Sequence, residues 1–285
     1  MLVIPSVRFL LPAEPLRDLV TSYYHIESPG PISDWVHPEW GNVRFTIRGR
    51  WMVEEFFTRP APTPRDAALF GPTDRSRRFW CDEPGLFVGV GLTPLGWETL
   101  IGTDAGAAAN RVFELGDRLG ASAAEIVARL RAAADDRGRT VILDTLLLDR
   151  AARRGGRDPL TVRITEALAN HPVREVPELA ELAGVDQRRL ALACRRAFGF
   201  TPKRLIRRQR FLRTLAAVRD RLDRPIQEII DAHYYDQAHF NHDFQSYMGM
   251  SPRAYFNSPR EVLRRAMAER DRVVGAPTQV LHRVP

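Results

Sequence analysis

Apolar residues recur along this chain with two different periods, and the change from one to the other divides it. Val43, Phe45 and Ile47 alternate with Arg44, Thr46 and Arg48 ahead of Gly49, the two-residue period of a half-exposed strand. Leu86 to Leu92 is a short apolar run punctuated by Gly85, Gly89 and Gly91, which predicts a buried strand. Ile126, Val127 and Leu130 then recur at helical spacing, and Thr140 to Asp149 predicts a second helix. The first half therefore reads as α+β, a sheet or small barrel first and helices last. Beyond Pro159 the two-residue period vanishes, and nearly every segment to Arg272 is helical in period. Between the halves, Arg150 to Pro159 is basic, glycine-bearing and poor in apolar residues, which predicts a division into residues 1–152, a linker 153–159, and a helical half from 160.

A single pattern occurs twice within the helical half. Asp186-Gln187-Arg188-Arg189-Leu190 and Asp236-Gln237-Ala238-His239-Phe240 align fifty residues apart without a gap, and the match continues for twenty residues. Leu190 pairs with Phe240, Cys194 with Phe244, Gly199 with Gly249, Thr201-Pro202 with Ser251-Pro252, and Leu205 with Tyr255. Asp186 and Asp236 are expected to cap a helix by accepting from free amides of its first turn. The apolar pair at i and i+4 faces the core, the glycine ends the helix in a left-handed conformation, and Thr or Ser followed by proline opens the next one. Ahead of the first copy, Pro177 to Val185 predicts a short helix and a turn at Gly184, the layout of a helix-turn-helix. Ahead of the second, Pro225 to Ala232 predicts a shorter helix, with His233 or Tyr234 in place of a turn glycine. Pro202 to Leu222 reads as one long spacer helix with Leu205, Leu212, Leu215, Val218 and Leu222 inward.

Charge then selects among partners. Residues 187–219 hold eleven basic side chains and no acidic one: Arg188, Arg189, Arg195, Arg196, Lys203, Arg204, Arg207, Arg208, Arg210, Arg213 and Arg219. A solvated helix face normally mixes signs, so this stretch points to a polyanion. The overall formal charge of +7 agrees but says less, because one lysine among 42 basic residues also fits a GC-rich coding bias. Cys81 and Cys194 lie far apart and are expected to be unbridged in a reducing cytoplasm, with no leader recognised. Proline and arginine interrupt the apolar opening segment, and no apolar run reaches the length of a membrane span, so a membrane is not an expected partner.

The motifs Gly184-Val185-Asp186 with Leu190, Gly199-Phe200-Thr201-Pro202, Asp236 to Phe244, and Gly249-Met250-Ser251-Pro252-Arg253-Ala254-Tyr255 resemble those of the AraC/XylS family of bacterial transcription regulators over residues 160–256. The resemblance implies a C-terminal all-α tandem helix-turn-helix domain whose two recognition helices enter successive major grooves of one double-stranded DNA site. It implies, more loosely, an N-terminal small barrel-like sensor domain that binds a small effector or dimerises, with contact to RNA polymerase as a further partner. Carried over by position, the first recognition helix is Gln187 to Phe198, offering Gln187, Arg188, Ala191, Leu192 and Arg195, with Arg196, Lys203, Arg207 and Arg208 on phosphates. The second is Gln237 to Tyr247, offering Gln237, Ala238, Asn241, His242 and Gln245. The family often has arginine where Leu192 stands and phenylalanine where Cys194 stands. Arg188 suits guanine, Leu192 a thymine methyl and Asn241 adenine.

Other chemistry is weaker. His239 and His242 have i, i+3 spacing beside Asp236 and Asp243, but cap and groove roles account for them better than a metal. No cofactor is expected. Cys81 reads as a half-buried thiol and Cys194 as core. Trp35, Trp40, Trp51, Phe56, Phe57, Trp80 and Trp97 are candidates for lining an effector pocket, half or more of them being core. Ser258-Pro259-Arg260-Glu261 has the form of a capping box for a terminal packing helix, Pro259 to Val274, within the tail 257–285. The alternative of another class is a DNA-repair enzyme tethered by the same C-terminal domain. The single Cys81 in the first half and the lack of a nucleophile elbow, metal triad or phosphate loop argue against it, so no enzymatic activity is expected.

Overall fold

The computed structural model describes residues 4–54, 66–219, 234 and 236–281. Pro225 to Ala232, His233, Leu222, Phe56 and Phe57 lie outside the described residues.

The first half is built on two antiparallel sheets. Strands β1 (Ser6–Leu10), β2 (Val20–Ser28), β4 (Asn42–Arg48), β6 (Ala67–Phe70), β8 (Gly85–Leu92) and β9 (Val112–Glu114) form a six-stranded sheet in the order β1-β2-β8-β4-β6-β9. Strands β3 (Ile32–Val36), β7 (Arg77–Cys81) and β5 (Trp51–Val53) form a second one, β3-β7-β5. Among the described residues the two sheets do not close into a barrel. Alternation assigns the faces. Tyr23, Val43, Phe45, Val88, Val90 and Leu92 point to a core shared with helices, while Tyr24, Ile26, Phe70 and Phe87 point toward the second sheet. The polar side of β4 is split: Arg44 and Thr46 are half-buried and line a cavity between the sheets, while Arg48 at the end of the strand is exposed. Gly89 is required where β2 and β8 pair, because a Cβ there would lie 1.9 Å from the Tyr24 ring.

Short helices α1 (Pro94–Gly96) and α2 (Ala105–Ala108) follow the sheet, then α3 (Ala123–Ala132) and α4 (Asp136–Arg154). Ser122 and Glu125 form a full capping box on α3. Helix α4 is longer than its apolar period predicts and runs through Arg150 to Arg154, so only Gly155 to Asp158 separates it from α5 (Pro159–Asn170). Its first turn is held by charge: Asp136 accepts from Arg8 on β1 and from Arg139, and its Oδ1 lies 2.6 Å from Nδ1 of fully buried His25 on β2.

The helical half continues with α6 (Val176–Ala183), α7 (Gln187–Ala193), α8 (Pro202–Arg219), α9 (Gln237–Met248), α10 (Pro252–Asn257) and α11 (Glu261–Val274). Leu205, Leu212, Leu215 and Val218 of α8 are buried as its period predicts. Among the described residues, no helix is long and apolar enough to cross a membrane.

Helix α11 starts differently from its sequence signature. Ser258 donates to the Tyr255 carbonyl instead of capping, and Arg260 at the N-cap makes no side-chain cap bond. The cap comes from the other half of the chain: Asp34 of β3 accepts from the amides of Val262 at 2.7 Å and Leu263 at 3.2 Å. A buried carboxylate already aimed at free amides displaces a local serine. Asp34→Ala is expected to cost about 1 to 2 kcal/mol of stability, the usual effect of removing an N-cap, read by urea denaturation.

Burial alone would raise the Asp136 carboxyl, but the hydrogen bond from Arg8 and the charges of His25 and Arg8 hold it below the ordinary carboxylate range. A carboxylate depressed in the folded state contributes stability that is complete above the unfolded value of about 4 and is lost as pH falls through the folded one. Asp136→Asn is therefore expected to lower stability at pH 7 and to flatten its decline between pH 5 and 3. Equal steepness in both proteins would contradict this.

Candidate nucleic-acid interface

The two copies of the repeat fold as the same unit, capped as the sequence predicts. Asp186 Oδ1 accepts from the Arg189 amide at 2.8 Å, and Asp236 Oδ1 from the His239 amide at 2.7 Å. Thr201 and Ser251 hydroxyls accept from the Arg204 and Ala254 amides, with Pro202 and Pro252 opening α8 and α10. Helix α6 ends at Gly184 in the left-handed region, and Val185 returns its amide to the Ala180 carbonyl. The first recognition helix comprises α7 and a π-helical turn, Cys194–Phe198, which ends at Gly199 with φ 86°. The second, α9, ends at Gly249 with φ 71°. Those two glycines differ in surroundings. A Cβ on Gly199 would lie 2.6 Å from Pro72 and 3.1 Å from the Ala105 carbonyl, whereas none of the described atoms comes within 4 Å at Gly249.

Each unit has its own core. Leu190, Cys194 and Phe198 pack with α5, α6 and Leu205, and Phe240, Phe244 and Tyr255 pack with Phe211, Leu212 and Leu263. Burial pushes the Cys194 thiol up to about 12. Cys81 is fully buried rather than half-buried and donates to the Glu83 carbonyl. Tyr234, which stands where the first unit has its turn glycine, is buried against Phe240 and edge-on to His239.

With cores and caps accounted for, the outward positions remain. On the first recognition helix Gln187, Arg188, Arg189, Leu192, Arg195 and Arg196 are exposed, and Ala191 is partly so. Leu192 is 69% exposed, an apolar side chain among guanidinium groups. On α9, Gln237, Ala238, Asn241, His242 and Gln245 are exposed. A groove beside α9 gathers Gln237, Asn241 and Gln245 with Arg253 of α10. Arg253 was not among the sequence candidates, although its position after the Ser251-Pro252 cap puts it in the first turn of α10. Between the two units a cleft collects Arg174, Lys203, Arg207, Arg210, His239 and His242.

The basic stretch does not behave as one surface. Arg208 departs from the expectation of a phosphate contact: it has no exposure, its guanidinium donates to the carbonyls of Pro38, Thr73 and Gln279 at 3.0 to 3.4 Å, and it lies 3.8 Å over the Trp40 ring. Burial lowers it to about 9. Arg207 donates to Asp243 at 2.5 Å and Arg210 at 3.2 Å, while Arg204 pairs with fully buried Asp74. Arg213 donates to the carbonyls of Leu168, Ala169 and His171 at the end of α5. Among the described side chains of the stretch, which do not include that of Arg219, those that stay free to face a polyanion are Arg188, Arg189, Arg195, Arg196 and Lys203. His239 and His242 are not joined by a third ligand, since no group of three or more metal-ligating side chains occurs among the described residues.

Of the aromatic candidates, Trp97 is core, Trp40 packs edge-on to Phe198, Trp35 sits against the second unit's core, and Trp51 lines the cavity between the sheets. Trp80 lines a separate groove on the second sheet.

Residues 179–258 match the family model described as a helix-turn-helix domain. The C-terminal region of the chain is a helix-turn-helix domain of the AraC type, the reader module of DNA-binding transcription regulators. The chain is similar in structure to ToxT from Vibrio cholerae, at 9% identity over 89% of this chain and 97% of that one, with a TM-score of 0.45. It is also similar to the AraC-like transcriptional activator CuxR, at 16% identity over 75% of this chain and 87% of that one, with a TM-score of 0.30. No curated protein matches it.

Asp243 is the hub between α8 and α9. It is fully buried and receives two arginines, so Asp243→Ala leaves two guanidinium groups facing an emptied site. Breaking a buried pair on one side costs about 3 to 5 kcal/mol, and a loss near the lower end is expected because Arg207 and Arg210 are partly exposed. Chemical denaturation of the full chain measures it.

Proposed function

We propose that the protein is a sequence-specific regulator of transcription that lays α7 with its π turn, and α9, into successive major grooves on one face of a DNA duplex. Arg188, Leu192 and Asn241 are the principal base readers, with Gln187, Ala191, Gln237, Ala238 and Gln245 beside them. Arg189, Arg195, Arg196, Lys203 and His242 hold phosphates, and Arg253 extends the second reader. Arg207 belongs to the Asp243 hub rather than to this set, and Arg208 is withdrawn from it. The observation that carries the reading is the agreement between two repeats: on both helices the residues used neither as caps nor as core are the ones left open to solvent. An uncovered Leu192 amid arginines fits a thymine methyl and has no packing role among the described residues.

In this reading residues 1–152 form a sensor unit controlled by a small effector and able to dimerise. The linker expected at 153–159 narrows to the four residues 155–158 between α4 and α5, 160–256 is the reader, and 257–285 a terminal helix and tail; RNA polymerase is the further partner.

The experiment is a gel-shift salt titration on DNA selected from a random pool. Each phosphate-bound cation contributes a slope of about −0.9 in log K against log salt, so the four assigned to phosphates, Arg189, Arg195, Arg196 and Lys203, predict about −4 for one bound chain. A slope near −10, the value for eleven free bases, would show that the inward arginines are misassigned. Arg188→Ala and Asn241→Ala should each cost about 1 to 3 kcal/mol on the selected site and almost nothing on random DNA. Equal affinity for every sequence removes the proposal.

A further inference from the structure

Helix α8 runs through the cores of both reader units. Leu205 and Ile206 lie in the first and Phe211, Leu212 and Leu215 in the second, so the course of this one helix between residues 206 and 211 sets how the two readers are placed relative to each other. Along the face Leu205, Arg208, Gln209 and Leu212, spaced i, i+3, i+4 and i+7, the two middle side chains are polar and yet buried. A buried polar turn between two apolar ones needs partners. The chain after α11 supplies them.

Residues 275–281 form a strap laid along that turn. The Gln279 carbonyl accepts from Arg208 Nη1 at 3.3 Å, the Leu281 amide donates to Gln209 Oε1 at 3.1 Å, and the Thr278 hydroxyl donates to the Leu212 carbonyl at 3.2 Å. Side chains of the strap reach both cores: Val280 packs against the second, and Leu281, the next residue, is buried in the first. Both ends are fixed. Leu263 and Met267 seat α11 in the second core, and Arg270, buried on the same helix, donates from Nη1 to the carbonyls of Ala276 and Thr278. At the other end Gln209 passes the connection on to the first unit, its Nε2 donating to the Leu168 carbonyl of α5 at 3.4 Å. The strap thus joins the second unit to the first by a route other than α8, although it lies outside both repeats.

A duplex acts as a ruler for such a pair. One base pair more or less between two half-sites moves the second by about 3.4 Å along the axis and turns it by about 35°, so readers held at a fixed distance and angle accept one spacing, and readers joined by a helix that can bend accept several. We propose that the strap fixes the spacing of the two half-sites, with Thr278 and Leu281 as its positioning residues. Both are buried, so they act through α8 and not on DNA. The proposal rests on the two-groove reading above.

Two measurements on the full chain test it. Spin labels on Glu181→Cys in α6 and Ala254→Cys in α10, both exposed positions, report the distance between the units, the native Cys81 and Cys194 being buried. The parent should give one narrow distance, and the double variant Thr278→Val with Leu281→Ala a broader or shifted one. Gel shifts then use the site selected from random DNA and the same site with one base pair added or removed between its half-sites. The parent should bind the altered spacings about ten-fold or more weaker, and the double variant less than about three-fold weaker than its own best site. A role in stability alone would lower affinity for every spacing by one factor. Thermal unfolding checks the fold; should Leu281→Ala unfold the chain, Thr278→Val is read on the same two scales, with Thr278→Ser, which keeps the hydroxyl, expected to restore the parent's values. An unchanged distance, a parent that binds its selected site at every spacing, or a folded variant with the parent's spacing preference overturns the proposal. A parent that binds all DNA alike removes the two-groove reading and the spacing claim with it, whereas a fixed distance that the variant loses keeps the strap as the tie between the units.

Discussion

Arg208 places a positive charge where no water reaches it, and three carbonyls from distant stretches of the chain take the place of water around it. Pro38 lies between β3 and β4, Thr73 between β6 and β7, and Gln279 in the tail, so one guanidinium on the spacer helix holds together the sheet half, the reader and the strap. Solvating a buried cation with carbonyl dipoles works only while all three stay in place, because each departure leaves a donor unsatisfied at low dielectric. Trp40 reinforces the arrangement by offering its ring face to the cation and its edge to Phe198 of the first reader. The Ser76 amide to the Tyr247 carbonyl at 2.6 Å and His37 to the Tyr255 hydroxyl at 2.7 Å attach the second reader to the same half. The reader is thus mounted on the sheets through contacts to both of its units.

How much of this was legible in the sequence depended on the range over which each interaction acts. The tandem repeat was readable to the residue because its devices are local: Asp186 and Asp236 cap amides three residues on, and Gly199 and Gly249 close the helices they follow. The alternation of β4 was equally plain, yet it misled on exposure, since a period of two says that the faces differ and not that one meets water. Arg44 turns toward a cavity whose opposite wall is formed by residues near 80 and near 265.

The basic stretch shows the limit more sharply. Read along the chain, eleven bases without an acid signify a polyanion partner. In space, Asp74 and Asp243 reach Arg204, Arg207 and Arg210 from outside the window, and Arg208 and Arg213 end on carbonyls. Composition within a window cannot register partners 33 or more residues away. The capping box at Ser258 failed for the same reason, a motif overruled by the Asp34 carboxylate arriving from the other half. The aromatic residues gave no warning of Arg270, a buried guanidinium beside the cavity, because nothing in its sequence neighbourhood marks it as buried.

The two closing glycines carry a consequence for how such a duplicated unit can drift. At position 249 the backbone asks only for a left-handed conformation, which asparagine also tolerates, and the space beside it is open. At position 199 the same conformation is demanded within 2.6 Å of Pro72, so even a methyl group would force the sheet half aside. One copy is therefore free to vary its turn and with it the pitch of its reader, while the other is bound to its platform atom by atom. A substitution at the helix-closing turn is therefore open to the second copy and closed to the first.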